Sequence, residues 1–97
     1  MYKVFIDELG FKEDFKKIDR PDQQRIIKTI RSKLQTDPHS FGKSLSGDLK
    51  GFWRVRVDQF RVIYQIFESE VTVYVIKVGF RRDQDVYNAL ARHLELY

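Results

Sequence analysis

The sequence predicts an α+β fold in which an antiparallel sheet carries a helical hairpin on one face and a further helix at the C-terminal end. Three observations favour this class. Apolar residues recur at helical spacing in the first third of the chain, three runs rich in β-branched and aromatic residues lie between residues 52 and 78, and a last helical pattern follows. Strands joined by short turns pair antiparallel, so the predicted order is β-α-α-β-β-β-α. A chain of 97 residues is sufficient for a single domain, 1–97.

The first third of the chain predicts a short strand and two helices. Residues 2–6 are predicted to form the strand, and residues 8–18 the first helix. A break at Asp19-Arg20-Pro21 then starts a second helix, which runs to about Gln35, because proline suits a first helical turn and aspartate an N-cap. The apolar stripes of both helices are expected to be core: Phe11, Phe15 and Ile18 in the first, Ile26, Ile27, Ile30 and Leu34 in the second.

The remainder of the chain predicts a loop, three strands and a last helix. Residues 36–51 are rich in Gly, Ser, Asp and Pro, which is typical of a loop. The strands are expected at 52–57, 60–67 and 71–78, with tight turns at Asp58-Gln59 and at Glu68-Ser69-Glu70. Residues 79–83 should form a short loop and residues 84–94 the final helix.

The net charge of +4 is concentrated in one third of the sequence. Residues 50–82 hold seven Lys or Arg and three acids, whereas the rest of the chain holds eleven of each sign. Clustered Lys and Arg bind phosphates and release counterions, so this segment is a candidate polyanion site. The alternative is a set of ordinary basic residues on solvated strands.

Strand alternation sorts the charged residues of this segment onto one face of the sheet. A two-residue turn at 58–59 places Arg56 opposite Arg61, and Arg54 on the same face. The opposite face should be core, and comprises Trp53, Val55, Val57, Phe60, Val62, Tyr64 and Ile66. If the next turn has three residues, Lys77 lies across from Arg61, and an apolar strip of Ile63, Val73 and Val75 lies beside the cations. Like charges placed opposite one another destabilise a sheet, so the cluster suggests an anionic ligand, unless the side chains simply splay into water.

Several other chemistries find no support in the sequence. There is no cysteine, His39 and His93 match no ligand spacing, and no Gly-rich loop resembles a phosphate cradle. No carboxylate cluster suggests a two-metal nuclease, so a nuclease built on this chain is expected to need no metal and no cofactor. Neither a signal peptide nor a membrane span is expected.

Three segments together resemble the RelE/ParE toxin family over nearly the full length of the chain. LSGDLKGFWRVRV is similar to the loop and aromatic-basic strand that lead into the basic hairpin of the family, and WRVRVDQFRVIYQI to that hairpin. VIKVGFRRDQDVY resembles the closing strand, its glycine and arginine, and the Val-Tyr pair that follows. The resemblance implies the RelE fold, a cytoplasmic toxin, and a cognate antitoxin as partner, with which the chain would form a hetero-oligomer.

The resemblance also implies a reaction and its residues. The RelE branch cuts messenger RNA on the ribosome, and its catalytic positions match Arg61, Arg81 and Tyr87 here. The resemblance gives phosphate-binding roles to Arg54 and Arg56, and the clustering of charge adds Lys77 and Arg82 to them. RelE itself has lysines where this chain has Arg54 and Arg56, and arginine stays protonated, so a general base is not assigned. Two other functions stay open: inhibition of DNA gyrase, as in the ParE branch, and RNA or partner binding without catalysis.

Overall fold

A computed structural model describes residues 1–80 of the chain. The predicted helix 84–94 and the predicted site residues Arg81, Arg82 and Tyr87 lie outside these residues. The strands are β1 (Lys3–Ile6), β2 (Lys43–Ser44), β3 (Trp53–Val57), β4 (Phe60–Phe67) and β5 (Thr72–Phe80). The helices are α1 (Glu8–Phe15), α2 (Arg20–Thr29), which continues into a π-helical turn at Ile30–Leu34, and the one-turn α3 (Pro38–Phe41). Two 3₁₀ turns lie at Gly47–Leu49 and Glu68–Glu70.

The five strands form one sheet in the order β1-β5-β4-β3-β2. The consecutive strands β3, β4 and β5 pair antiparallel, as the short turns predicted. β1 pairs parallel with β5, because the helical hairpin forms a crossover connection between β1 and the rest of the sheet.

The helical hairpin is closed by polar contacts at its ends. Asp7 caps α1 by accepting a hydrogen bond from the Gly10 amide, at 3.4 Å. α1 ends at Phe15 rather than at the predicted residue 18, and the Gln23 side chain donates to the Phe15 and Ile18 carbonyls, at 2.9 and 2.7 Å. α2 begins after Asp19, with proline in its first turn as predicted. The Gln23 side chain therefore links α2 to the end of α1 and to the turn between the two helices.

The hairpin packs its apolar stripes on one face of the sheet. Phe11, Ile18, Ile26, Ile30 and Leu34 are buried there, while Phe15 and Ile27 are half-buried at its margin. From the sheet the core takes Val55, Val57, Phe60, Val62, Tyr64, Val73, Val75 and Val78. The predicted core face of β3 and β4 is confirmed, although Trp53 and Ile66 are only half-buried.

The segment 36–51, predicted to be a loop, contains regular structure. Asp37 accepts a hydrogen bond from the Ser40 amide, at 3.2 Å, and Pro38 sets the first turn of α3. The chain then runs beside β3, where Lys43 pairs with Arg54 as part of β2. The loop prediction was wrong here because both elements are too short to show a periodicity.

The register between β4 and β5 differs from the predicted one. Phe67 pairs with Thr72, so the connecting turn has four residues instead of three, and the register shifts again between Ile63 and Tyr64. Gly79 therefore lies opposite Arg61, where Lys77 was predicted, and Lys77 lies opposite Ile63. β5 also extends through Gly79 and Phe80, which were predicted to be loop, because it pairs with β4 as far as Phe60.

The same register overturns the predicted apolar strip. Val73 and Val75 face the helices and are fully buried in the main core. Only Ile63 lies on the other face, where it is fully buried in a second cluster with Phe52, next to Leu45, Leu49 and Ile76. One residue added to the turn moves alternate side chains of a strand to the opposite face, which explains the error.

Candidate nucleic-acid interface

The β3–β4 hairpin presents arginines on the sheet face opposite the helices. Arg56 lies opposite Arg61, as predicted, and Arg54 lies opposite Ile63 on the same face. The two-residue turn is completed by Asp58, whose φ of 53° is in the left-handed region that aspartate tolerates. The arginines thus come from a rigid hairpin, and the side chains between them anchor it in the core.

Arg61 is the most enclosed cation of this face. It is half-buried, and its Nε and Nη1 atoms are shielded from solvent, whereas Arg56 is exposed. Its neighbour on β5 is Gly79, which has no side chain to compete for the space beside the guanidinium. Arg56 lies opposite Arg61 on β3, so the two guanidinium groups extend from neighbouring positions of one sheet face.

The structure adds a cation that sequence reasoning missed. Lys43 is exposed on β2 and lies opposite Arg54, so that its side chain shares the face of the arginines. The two-residue length of β2 explains why no sequence pattern identified it. We call Lys43, Arg54, Arg56 and Arg61 the cationic face.

Asp58, the acid between the two arginines in the sequence, contacts helix α2. Asp58 accepts a hydrogen bond from Arg25 of α2, at 2.6 Å, and Arg25 also contacts Asp22, at 3.0 Å. The contact ties the tip of the hairpin to α2. It also directs the Asp58 charge toward α2.

Lys77, the fourth predicted cation within residues 1–80, is bound to an acid. Its Nζ atom lies 3.0 Å from Oδ1 of Asp14 on α1. Both side chains are largely buried, with 23% of Lys77 and 12% of Asp14 exposed. The structure therefore brings Arg54, Arg56 and Arg61 together, and places the Lys77 ammonium with α1.

A buried hydrogen bond between β4 and α3 holds the segment that leads into β2. The hydroxyl of Tyr64, which is fully buried, donates to the Pro38 carbonyl, at 2.6 Å. Burial raises the pKa of Tyr64 well above its ordinary value, so the hydroxyl stays protonated and keeps donating. A Cβ atom at Gly42 would lie 1.9 Å from this hydroxyl and 2.8 Å from the Arg54 carbonyl. Only glycine allows the chain to pass there toward Lys43.

Aromatic side chains lie at the other end of the same sheet face. Phe5 pairs with Tyr74, and Phe67 lies on the adjacent strand β4. Their exposed fractions are 53%, 38% and 42%. The buried cluster around Ile63 separates this apolar end from the cationic face.

Residues 1–80 contain neither a cluster of metal ligands nor a membrane-spanning helix. No group of three or more His, Cys, Asp or Glu side chains in this part of the chain is arranged to hold a metal ion. The helices described for the same residues are too short or too polar to cross a bilayer.

A sheet with a helical hairpin on one face and a row of cations on the other defines a small α+β protein. Residues 9–85 match the family model described as the ParE toxin of the type II toxin–antitoxin system parDE. The chain is 30% identical over 95 residues to a putative RelE-like toxin protein of Escherichia coli, covering 96% of this chain and 97% of that protein. The protein belongs to the RelE/ParE family of toxins of type II toxin–antitoxin systems.

Solved structures show the same fold. The toxin–antitoxin complex RelBE of Mycobacterium tuberculosis contains a chain that superposes with a TM-score of 0.76 at 24% identity, over 84% of this chain and 93% of that one. A double arginine-to-alanine mutant of the E. coli toxin RelE in the free state superposes with a TM-score of 0.70 at 22% identity, over 96% and 97% of the two chains. The predicted RelE-like α+β fold is therefore confirmed.

Proposed function

We propose that this toxin is a ribosome-dependent endoribonuclease that cleaves messenger RNA. The observation that carries the proposal is the pairing of Arg56 with Arg61 across β3 and β4, with Arg54 and Lys43 on the same face. Clustered cations attract a polyanion. Guanidinium groups offer paired donors that suit the oxygens of a phosphate.

The reaction is the attack of a ribose 2′-oxygen on the adjacent 3′-phosphate. The 2′-hydroxyl loses its proton to water, a bond forms between the 2′-oxygen and phosphorus, the bond from phosphorus to the 5′-oxygen breaks, and the departing oxygen takes up a proton from water. The products are a 2′,3′-cyclic phosphate and a 5′-hydroxyl. The step needs in-line geometry and stabilisation of the charge that builds up on the phosphate oxygens, and it consumes no cofactor.

Each cation receives a role that suits its position. Arg61, partly desolvated, binds the reacting phosphate together with Arg81. Arg54, Arg56 and Arg82 bind flanking phosphates, and Tyr87 stacks on a base or donates a hydrogen bond to the reacting group. We leave Lys77 out of this set, because its ammonium is bound by Asp14.

The ribosome is needed because the cationic face contains no base that could accept the 2′-hydroxyl proton. Arginine stays protonated, so the cationic face stabilises charge and does not accept the 2′-hydroxyl proton. An enzyme without a strong base of its own depends on positioning of the RNA, which the ribosome supplies in the cytoplasm. A cognate antitoxin restrains the toxin in a hetero-oligomer, and its acidic residues complement the cationic face.

The test compares programmed ribosomes with free RNA. We expect the toxin, separated from its antitoxin, to cut messenger RNA rapidly on ribosomes and slowly in solution, with cyclic phosphate ends on the products. Rapid cleavage of naked RNA would contradict the dependence on ribosomes. RNA binding without any cleaved product would favour a binding module instead.

Inhibition of DNA gyrase is the second candidate function, because the matching family model is the ParE toxin. This function predicts loss of supercoiling by purified gyrase at toxin concentrations that leave messenger RNA on ribosomes intact. The two assays performed on one preparation separate the candidates.

A further inference from the structure

The outer edge of β5 loses its strand partner halfway along. β1 pairs with β5 as far as Ile6 and Val75, and the Asp7 amide makes the last such bond, to the Val75 carbonyl at 2.8 Å. β5 continues to Phe80, and no strand within residues 1–80 pairs with the outer edge of its last five residues. Exposed edges leave backbone donors and acceptors to be satisfied by other groups.

Helix α1 lies along this edge in place of a strand. A Cβ atom at Gly10 would lie 3.1 Å from the Ile76 carbonyl, so the glycine lets the helix approach the strand closely. One turn further on, Asp14 Oδ2 accepts a hydrogen bond from the Val78 amide, at 3.0 Å, while Oδ1 accepts one from Lys77 Nζ, also at 3.0 Å. Residues four apart share one side of a helix, so Gly10 and Asp14 face β5 together.

The backbone contact lies next to the candidate site. Val78 pairs with Val62 and immediately precedes Gly79, the cross-strand neighbour of Arg61. Arg81 follows Val78 by three residues in the sequence. A carboxylate that fixes the Val78 amide therefore fixes the end of β5 beside Arg61.

We propose that Asp14 is a positioning residue of the toxin, which holds the end of β5 through the Val78 amide and uses Lys77 to balance its charge. The inference rests on the proposed ribonuclease function and extends its machinery to helix α1. In this arrangement Lys77 acts through Asp14 and not on RNA.

The assignment of Lys77 to phosphate binding predicts the opposite result for Asp14→Ala. If Lys77 binds RNA, removal of Asp14 releases its ammonium, so that RNA binds more tightly while the cleavage rate is unchanged. If Asp14 positions β5, its removal lowers the rate because reacting groups misplaced by about 1 Å can cost roughly 100-fold. The two assignments therefore predict opposite effects of Asp14→Ala: tighter RNA binding at an unchanged cleavage rate, or a lower cleavage rate.

The experiment compares Asp14→Ala, Asp14→Asn, Lys77→Met and the matched control Glu13→Gln. Glu13 is the adjacent acid of α1, is 70% exposed and contacts only Lys16 among residues 1–80. The full-length toxin is assayed for kcat and KM on programmed ribosomes, and amide hydrogen exchange of Val78 is measured on the same preparations.

Asp14→Ala is expected to lower kcat about 10- to 100-fold with little change in KM, and to accelerate exchange at Val78. Asp14→Asn, whose amide oxygen still accepts from Val78, should keep more activity and slower exchange than the alanine variant. Glu13→Gln should stay within about twofold of wild type, and Lys77→Met should leave KM unchanged and lower kcat less than Asp14→Ala does, since it keeps the Val78 contact.

Unchanged exchange at Val78 in Asp14→Ala, or tighter RNA binding with unchanged kcat, would overturn the assignment. If Asp14→Ala does not fold, Asp14→Leu, whose side chain is of similar size and also cannot accept from Val78, replaces it, and Val78 exchange and kcat equal to those of Glu13→Gln would reject the proposal. Failure of the ribonuclease function is recognised separately, because wild type itself would then not cleave. The Arg61 Nε–H resonance then replaces kcat: it should shift in Asp14→Ala and not in Glu13→Gln.

Discussion

The two faces of the β3–β4 hairpin are formed by alternate residues of the same two strands, but one face is buried in the core and the other carries the arginines. The face toward the helices consists of buried apolar residues such as Val55, Phe60 and Val62. The other face carries Arg54, Arg56 and Arg61, with Arg56 and Arg61 directly opposite each other. The apolar face therefore stabilises the hairpin, while the cationic face concentrates its positive charge.

The largest expected effect is on stability, from the apolar face. Phe60 is 2% exposed and packs against Phe80, with ring centroids 5.1 Å apart. Phe60→Ala should lower the free energy of unfolding by about 3–5 kcal/mol, because the truncation leaves a cavity in the core. Denaturant unfolding measures this. A loss below about 1 kcal/mol would show that the two faces do not divide stability and function as we describe.

Arg61→Ala, one residue away on the other face, should act on catalysis instead. Removing one well-placed donor to a developing charge costs about 100- to 1000-fold in rate. The free energy of unfolding should change by no more than about 1 kcal/mol, because relief of the repulsion from Arg56 offsets lost contacts. Cleavage on programmed ribosomes and denaturant unfolding of the same sample check both halves. If Arg61→Ala unfolds as readily as Phe60→Ala, Arg61 is structural and the site assignment fails.

Gly42→Ala should destabilise the segment that leads into β2, where Lys43 pairs with Arg54 of β3. The added methyl group would overlap the Tyr64 hydroxyl and approach the Arg54 carbonyl, and such overpacking typically costs about 1–3 kcal/mol. Tyr64→Phe removes one of the two obstacles, at the cost of the hydrogen bond to Pro38.

The double variant separates these contributions. If the hydroxyl is the main obstacle at Gly42, Gly42→Ala should cost less in the Tyr64→Phe background than in wild type, and a double-mutant cycle of unfolding free energies measures the difference. Strict additivity would indicate that the Arg54 carbonyl, and not Tyr64, excludes a side chain at position 42.

The sequence predicted the cationic face wherever strand alternation alone decides the geometry. The Arg56–Arg61 pair and the core face of β3 and β4 follow from a two-residue turn, which the spacing of residues 57–60 indicates. Features that depend on contacts between segments distant in sequence could not be predicted in this way. Lys43 joins the face through a two-residue strand, and Asp14 reaches Val78 across 64 positions of the chain.

The apolar strip was mispredicted because of a single extra turn residue, Val71, and the last prediction concerns this residue. Val71 has a φ of 50°, a left-handed conformation that costs a β-branched residue about 1–2 kcal/mol. The four-residue turn that it completes directs Val73 and Val75 toward the helices. The side chain is 45% exposed, so little packing is lost when it is replaced.

Val71→Asn should therefore raise the free energy of unfolding by about 0.5–1 kcal/mol, since asparagine tolerates this conformation. Val71→Thr is the matched control: it is polar but still β-branched, and should leave stability within about 0.5 kcal/mol of wild type. Equal stabilisation by Thr and Asn would mean that polarity at this exposed position, and not relief of backbone strain, is responsible.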